Sequence, residues 1–110
     1  MSTKQSTIDY LLDQLAVLDR IRVQKMFGEY ALYCDTKVVA LICDDKLYVK
    51  ITVAGKDFNA DLYQEGFAYP GARPSMLIDY DQIEDADWLS ELIKITAENL
   101  PATKPKKSKK

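Results

Sequence analysis

The strongest constraint on the fold lies in residues 25–50, KMFGEYALYCDTKVVALICDDKLYVK, where two short polar turns separate three apolar runs. The turns are Asp35-Thr36 and Asp44-Asp45, and Asp favours tight hairpin connections. The runs beside them are rich in Val, Ile, Leu and Tyr and have the length of strands. The segment therefore predicts three consecutive antiparallel strands.

Apolar residues at helical spacing predict the helices, and apolar runs between turn residues predict the strands. The predicted fold class is α+β: a two-layer sandwich with an antiparallel sheet and helices on one face, in the order α-β-β-β-α-β(-β)-α. The first predicted elements are a helix of about 7–19 that begins at the capping box Ser6–Asp9 and a strand of about 22–34 with a bulge or bend at Gly28. Strands at 37–43 and 46–52 follow, and then a short second helix that ends at Gly66. The last predicted elements are an optional strand at 67–69, a strand at 76–80, and a helix that Asp85 caps and Pro101 stops.

Charge is distributed unevenly along the chain. The 110 residues include 15 basic and 17 acidic ones, and five of the basic ones are lysines in the last seven positions. Residues 1–103 therefore carry ten basic and 17 acidic groups, a net charge of −7. Because 47% of the chain is apolar, we expect one domain over 1–101, followed by a flexible lysine-rich tail over 102–110. The absence of a long apolar run and of a secretory signal predicts a cytoplasmic protein.

The residues that most enzymes need for catalysis are scarce. The chain has no histidine, no G-x-S-x-G motif and no phosphate-binding glycine loop. Its two cysteines, Cys34 and Cys43, fall at opposite ends of a predicted hairpin, about 20 Å apart at a rise of about 3.3 Å per residue. That separation is too large for a disulfide, so we expect reduced thiols. The sequence predicts no enzymatic activity, no cofactor and no metal site.

The turn register sorts the strand side chains into two faces, because directly opposed residues share a face. It pairs Tyr33 with Val38 and Ala31 with Ala40, which predicts a largely aliphatic core face under the helices. That core face also holds Glu29, Ile42, Leu47, Val49 and Ile51. The opposite face holds Tyr30, Leu32, Val39, Leu41, Cys43, Tyr48 and Lys50. It is either an exposed interface or covered by a helix or the tail, and a register error of one residue would exchange the two faces.

Three motifs resemble the N-terminal domain of the TfoX/Sxy family, which is associated with the regulation of bacterial competence genes. They are K-M-F-G-E-Y-A-L-Y at 25–33, A-L-I-C-D-D-K-L-Y-V-K at 40–50 and Y-P-G-A-R-P at 69–74. The resemblance spans roughly 23–101 and implies an α/β sandwich of the secretion-chaperone type without established catalytic residues. The competence regulators continue into a second, helical domain for which this chain has no counterpart, so their promoter-level activity does not carry over.

These features favour a non-catalytic regulatory module that binds a protein partner. The partner is either a second copy, in a symmetric dimer, or another regulator or component of the transcription machinery. Tyr69 and Arg73 are of types that often anchor interfaces, although their loop could equally be a plain connection. The candidate contacts are Tyr30, Leu32, Leu41, Tyr48, Lys50, Tyr69 and Arg73.

The lysine tail carries the alternative hypothesis, a weak nucleic-acid binder without sequence specificity. Its lysines are Lys104, Lys106, Lys107, Lys109 and Lys110. The tail could instead bind an acidic protein or serve only to keep the chain in solution. No membrane partner is expected, since the chain carries no lipidation signal.

Overall fold

The computed structural model describes residues 3–26 and 29–100, apart from the side chain of Met26. Within these ranges a layer of helices packs on one face of a six-stranded antiparallel sheet, which confirms the α+β sandwich. The elements are α1 (Gln5–Gln14), β1 (Ile21–Met26), β2 (Glu29–Cys34), β3 (Lys37–Cys43), β4 (Lys46–Val49), α2 (Val53–Asn59) continued by a 3₁₀ turn (Ala60–Leu62), β5 (Glu65–Gly66), β6 (Ser75–Ile78), α3 (Tyr80–Glu84) and α4 (Ala86–Asn99). None of these helices has both the length and the apolar character that a membrane span needs.

The sheet order is β1-β2-β3-β4-β6-β5. β1 and β2 are antiparallel neighbours, with Met26 opposite Glu29, so the predicted continuous strand over 22–34 is wrong. The proposed bend at Gly28 and the stop at Pro101 lie outside the described residues. The short strand predicted at 67–69 is found two residues earlier, where Glu65 pairs with Met76 and Gly66 with Ser75.

Both predicted hairpin turns are confirmed. Cys34 pairs with Lys37 across the first turn, and Cys43 pairs with Lys46 across the second. Asp35 has a φ of 64° in the first turn, and both aspartates of the second turn have positive φ as well. Asp tolerates this left-handed region better than Thr does, and the Asp-Thr turn accordingly places its positive φ on the aspartate.

A β-bulge corrects the predicted division into faces. The ladder between β2 and β3 begins in the predicted register, with Tyr33 opposite Val38, and then shifts so that Leu32 faces Ala40. Val39 is the extra residue, as is typical of a bulge. From this point the register differs by one residue from the prediction. A shift of one residue turns the side chains of one strand to the opposite face relative to those of its neighbour.

The shift moves Tyr30, Leu32 and Val39 into or against the helix-covered core. Leu32 is 0% exposed, and Tyr30 is half-buried against the core cluster. The opposite face receives Ala31, which pairs with Leu41. Tyr33 and Val38, which were also predicted in the core, lie on that opposite face as well.

The core lies between the sheet and the apolar stripes of α1 and α4. Its fully buried side chains include Leu11, Leu15, Leu32, Ile42, Leu47, Val49, Met76, Leu89, Leu92 and Ile93. Each large aliphatic side chain contributes about 1.5–3 kcal/mol when it is fully buried. This burial holds the helices on one face of the sheet, and among the described residues no helix is part of the core on the opposite face.

The helix starts show which predicted caps the structure uses. Asp85 accepts a hydrogen bond from the backbone N–H of Trp88 at 3.1 Å, which confirms it as the N-cap of α4. The capping box at Ser6 is wrong, because α1 begins at Gln5 after Lys4 and ends at Gln14. The start of α1 is instead held by Asp45, whose carboxylate accepts from the Lys4 N–H at 2.8 Å and from the Thr7 hydroxyl at 2.9 Å.

Candidate functional site: a groove on the sheet face away from the helices

The loop of residues 67–74 leaves β5 and returns at its partner β6, so it stands over the neighbouring strands of the same sheet. A tight turn shapes the loop, with the Ala72 N–H donating to the Tyr69 carbonyl at 3.0 Å. Pro70 takes the second position of this turn, and Gly71 takes the third with a φ of 88°. Such a φ favours glycine, and the Pro-Gly step is typical of a type II turn.

A groove of about 630 Å³ lies between this loop and the sheet. The strands contribute Lys37, Val38, Leu41, Tyr48 and Ser75 to it. The loop contributes Ala68, Tyr69, Gly71, Ala72, Arg73 and Pro74, and the groove's other lining residues are Lys50, Ile51 and Leu100. We call this set the groove.

Tyr48 is positioned by a glycine. A Cβ built at Gly66 would lie 3.1 Å from Cε2 of the Tyr48 ring, so a side chain at position 66 would crowd the ring. Tyr48 is only 8% exposed, and it lines the groove. The absence of a side chain at Gly66 therefore gives the Tyr48 ring room to form part of the groove wall.

The structure brings five of the seven predicted contact residues together. Leu41, Tyr48, Lys50, Tyr69 and Arg73 all line the groove, although they come from β3, β4, the residue after β4 and the loop 67–74. Their role as contacts stays a prediction.

Tyr30 and Leu32 do not belong to this set, because the bulge turns them toward the helices. Sequence reasoning also missed three residues near the site, Lys37, Val38 and Phe67. Phe67 is 61% exposed in an adjoining cavity that shares Tyr48 and Tyr69 with the groove. The sequence pattern that could have indicated Phe67 is an aromatic residue close to Tyr69 and the Pro-Gly turn, in a segment predicted to be a loop.

The groove is positively charged although residues 1–103 as a whole are acidic. It holds three of their ten basic side chains, Lys37, Lys50 and Arg73, and none of their 17 acidic ones. Lys37 is engaged within the protein, since its ammonium donates to the Ala97 and Leu100 carbonyls at the end of α4. Lys50 and Arg73 are exposed, and their side chains make no hydrogen bond or ion pair with any described residue. Two cations therefore remain available to an anionic group.

The thiols are not arranged as nucleophiles. Cys34 and Cys43 are both free, and burial is the main cause that raises the pKa of each thiol. A raised pKa lowers the thiolate fraction at neutral pH, and the thiolate is the reactive form. Over residues 3–26 and 29–100, no three acidic, cysteine or histidine side chains lie close enough together to hold a metal ion.

The fold defines an α+β module, and its groove is lined by basic and aromatic residues. A family model of the TfoX N-terminal domain matches residues 13–100, so the chain belongs to this family, as its motifs indicated. The chain is also 42% identical over 111 residues to an uncharacterised 12.7 kDa protein in the trpE 5′ region of Spirochaeta aurantia. That match covers 99% of this chain and 93% of the relative.

Proposed function

We propose that this protein is a non-catalytic regulatory module that binds another protein through the groove. The observation that carries the proposal is the convergence of Leu41, Tyr48, Tyr69 and Arg73 on one concave surface. Tyrosine and arginine are enriched among the residues that dominate binding energy at protein interfaces. Tyr69 is 55% exposed and Phe67, which lines the adjoining cavity with it, is 61% exposed, and neighbouring exposed apolar side chains often mark an interaction site.

The family supports the regulatory part of the proposal, because the TfoX N-terminal domain is named after regulators of competence genes. A role in transcription or competence is the finer form of this hypothesis. We also propose a cytoplasmic location, since two free thiols suit a reducing compartment.

Site-specific photo-crosslinking tests the proposal. Tyr69 is replaced by p-benzoylphenylalanine in the full chain, which is expressed in the cell of origin and irradiated. Tyr10 on α1 provides the matched control, since it is also an exposed tyrosine but lies away from the groove.

We expect one discrete protein adduct from position 69 and none from position 10. Equal labelling from both positions, or none from position 69, would contradict a groove that binds protein. Mass spectrometry of the adduct identifies the partner, and a partner from the transcription machinery would support the finer hypothesis.

A further inference from the structure

We propose that the groove takes an extended acidic peptide segment of the partner, in which apolar side chains lie between carboxylates. This inference rests on the proposed function and adds the chemistry of the ligand. Its first support is the segregation of charge, since no acidic side chain lines the groove of a body with a net charge of −7. Complementary charge across an interface selects the partner and speeds its encounter.

The two available cations suit carboxylates. Arg73 lies on the loop wall and Lys50 follows the end of β4, so they approach the groove from different elements. A guanidinium binds a carboxylate through two parallel hydrogen bonds, and an ammonium binds it as a point charge. Neither cation has a partner to displace among residues 3–26 and 29–100, so a carboxylate can pair with it without breaking a contact within this part of the chain.

Apolar side chains also line the groove. Val38, Leu41 and Ile51 line it together with the Tyr48 ring, and Pro74 lies on the loop side. Carboxylates alone would leave this surface in contact with water. A peptide that alternates acidic and apolar residues places one kind of side chain on the cations and the other on the apolar surface.

The same observations favour a peptide over nucleic acid. A nucleic-acid strand carries a phosphate on every nucleotide, and its binding depends on several neutralised phosphates. The groove offers two cations that have no partner among the described residues, and the adjoining cavity is lined by the acidic residue Asp44. A short peptide segment with two or three carboxylates matches the number of positive side chains that the groove offers.

The test is fluorescence anisotropy with labelled ten-residue peptides and the full chain, followed by amide chemical-shift mapping. One peptide alternates Asp and Glu with Leu and Phe. A second replaces the apolar residues by Ser, a third replaces the acids by Lys, and a fourth probe is a ten-nucleotide oligothymidylate. The protein variants are Lys50→Glu/Arg73→Glu and the control Lys25→Glu/Lys94→Glu, which makes the same charge change at exposed lysines outside the groove.

We expect the acidic–apolar peptide to bind most tightly and to shift amides at Leu41, Tyr48 and Tyr69. Loss of two exposed charge pairs corresponds to about 1.4 kcal/mol, so the groove variant should bind about tenfold more weakly. The control variant should change the affinity by less than about twofold.

Three results would contradict the proposal that the groove binds an acidic peptide segment. If the serine peptide binds equally well and the groove variant has no effect, the tail attracts the peptide and the groove is not involved. If the lysine peptide binds the groove, protein docking stands but its charge preference is wrong. If the oligothymidylate binds the groove more tightly than the peptide, nucleic acid is the ligand. Failure of every peptide together with no adduct at position 69 removes the proposed function as well.

Discussion

The ammonium of Lys37 donates a hydrogen bond to the Leu100 carbonyl at 2.9 Å and another to the Ala97 carbonyl at 2.6 Å. Lys37 begins β3, and Leu100 caps the C-terminus of α4, so this contact joins the sheet to the last helix. The terminal carbonyls of a helix lack partners within it and carry partial negative charge, which a cation stabilises. The contact also fixes the end of α4 beside the groove.

Replacement of Lys37 should therefore destabilise the fold. We expect Lys37→Met to lower the free energy of unfolding by about 1.5–3 kcal/mol, the range for a hydrogen bond to a charged group. Urea unfolding followed by circular dichroism measures the change. Lys94→Met, at an exposed position of α4, removes the same charge and should change stability by less than about 0.5 kcal/mol. Equal effects of the two substitutions would mean that the Lys37 contact contributes nothing.

The corrected faces predict opposite outcomes for two leucines. Leu32→Asp should unfold the protein, because an unpaired carboxylate in the core costs several kcal/mol. Leu41→Asp should leave the protein folded, because Leu41 is half-exposed in the groove. Circular dichroism and thermal melting compare the two variants, and a folded Leu32→Asp would contradict the observed register.

The same Leu41→Asp variant tests the predicted homodimer, which now rests on Leu41 and Tyr48 without Tyr30 and Leu32. Sedimentation velocity of the full chain at micromolar concentration should show a dimer that this variant dissociates. A symmetric contact through the groove would bring Lys50 and Arg73 of both copies close together. Because these like charges repel each other, we expect the dimer to be weak. A monomer throughout the concentration range would exclude it.

Asp45 predicts a dependence of stability on pH. Its hydrogen bonds from the Lys4 N–H and the Thr7 hydroxyl lower the pKa of its carboxyl from 3.8. A group with a lowered folded-state pKa stabilises the fold above its unfolded pKa and loses that contribution as pH falls through the folded value. The wild type should therefore exceed Asp45→Asn in stability at about pH 7, and the difference should shrink below about pH 4. Asn tolerates the φ of 62° at this position, so backbone strain does not enter the comparison. A difference that is constant with pH would exclude a role for the charge.

The tail should be dispensable for folding. Residues 102–110 contain only one alanine and one proline besides polar and charged residues, so they have little apolar surface to bury. A chain truncated after Pro101 keeps the Leu100 carbonyl that Lys37 binds. We expect it to melt within a few degrees of the full chain in differential scanning calorimetry. A large fall in the melting temperature would show that the tail packs on the domain.

DNA binding should be weak, salt-sensitive and indifferent to sequence. Five tail lysines neutralise at most about five phosphates, which limits the log–log salt slope to about −4.5. Gel-shift titrations compare promoter and scrambled duplexes at low and physiological salt. Discrimination of about a hundredfold that survives removal of residues 102–110 would make nucleic-acid binding the leading function, since specific complexes exceed non-specific ones by such factors or more.

Local features of the sequence determined a large part of this protein. Asp35 and Asp44-Asp45 specify their turns because Asp tolerates positive φ, and this preference depends on the residue itself. Leu89, Leu92 and Ile93 specify the buried side of α4 through helical periodicity. The motifs at 25–33, 40–50 and 69–74 indicated the family that residues 13–100 match.

Only the tertiary structure decided which strand face is the core. Val38-Val39-Ala40-Leu41-Ile42 is apolar throughout, so alternation could not show which residues turn inward. The bulge admits both Val39 and Ala40 to the core and leaves Leu41 outside, and this choice depends on packing against α4 and the neighbouring strands. The groove depends on the same choice. Its residues come from β3, β4, the two residues after β4, the loop 67–74, the start of β6 and the end of α4. Local sequence preferences do not determine that a loop lies over a sheet or that cations from separate elements of an acidic chain lie together.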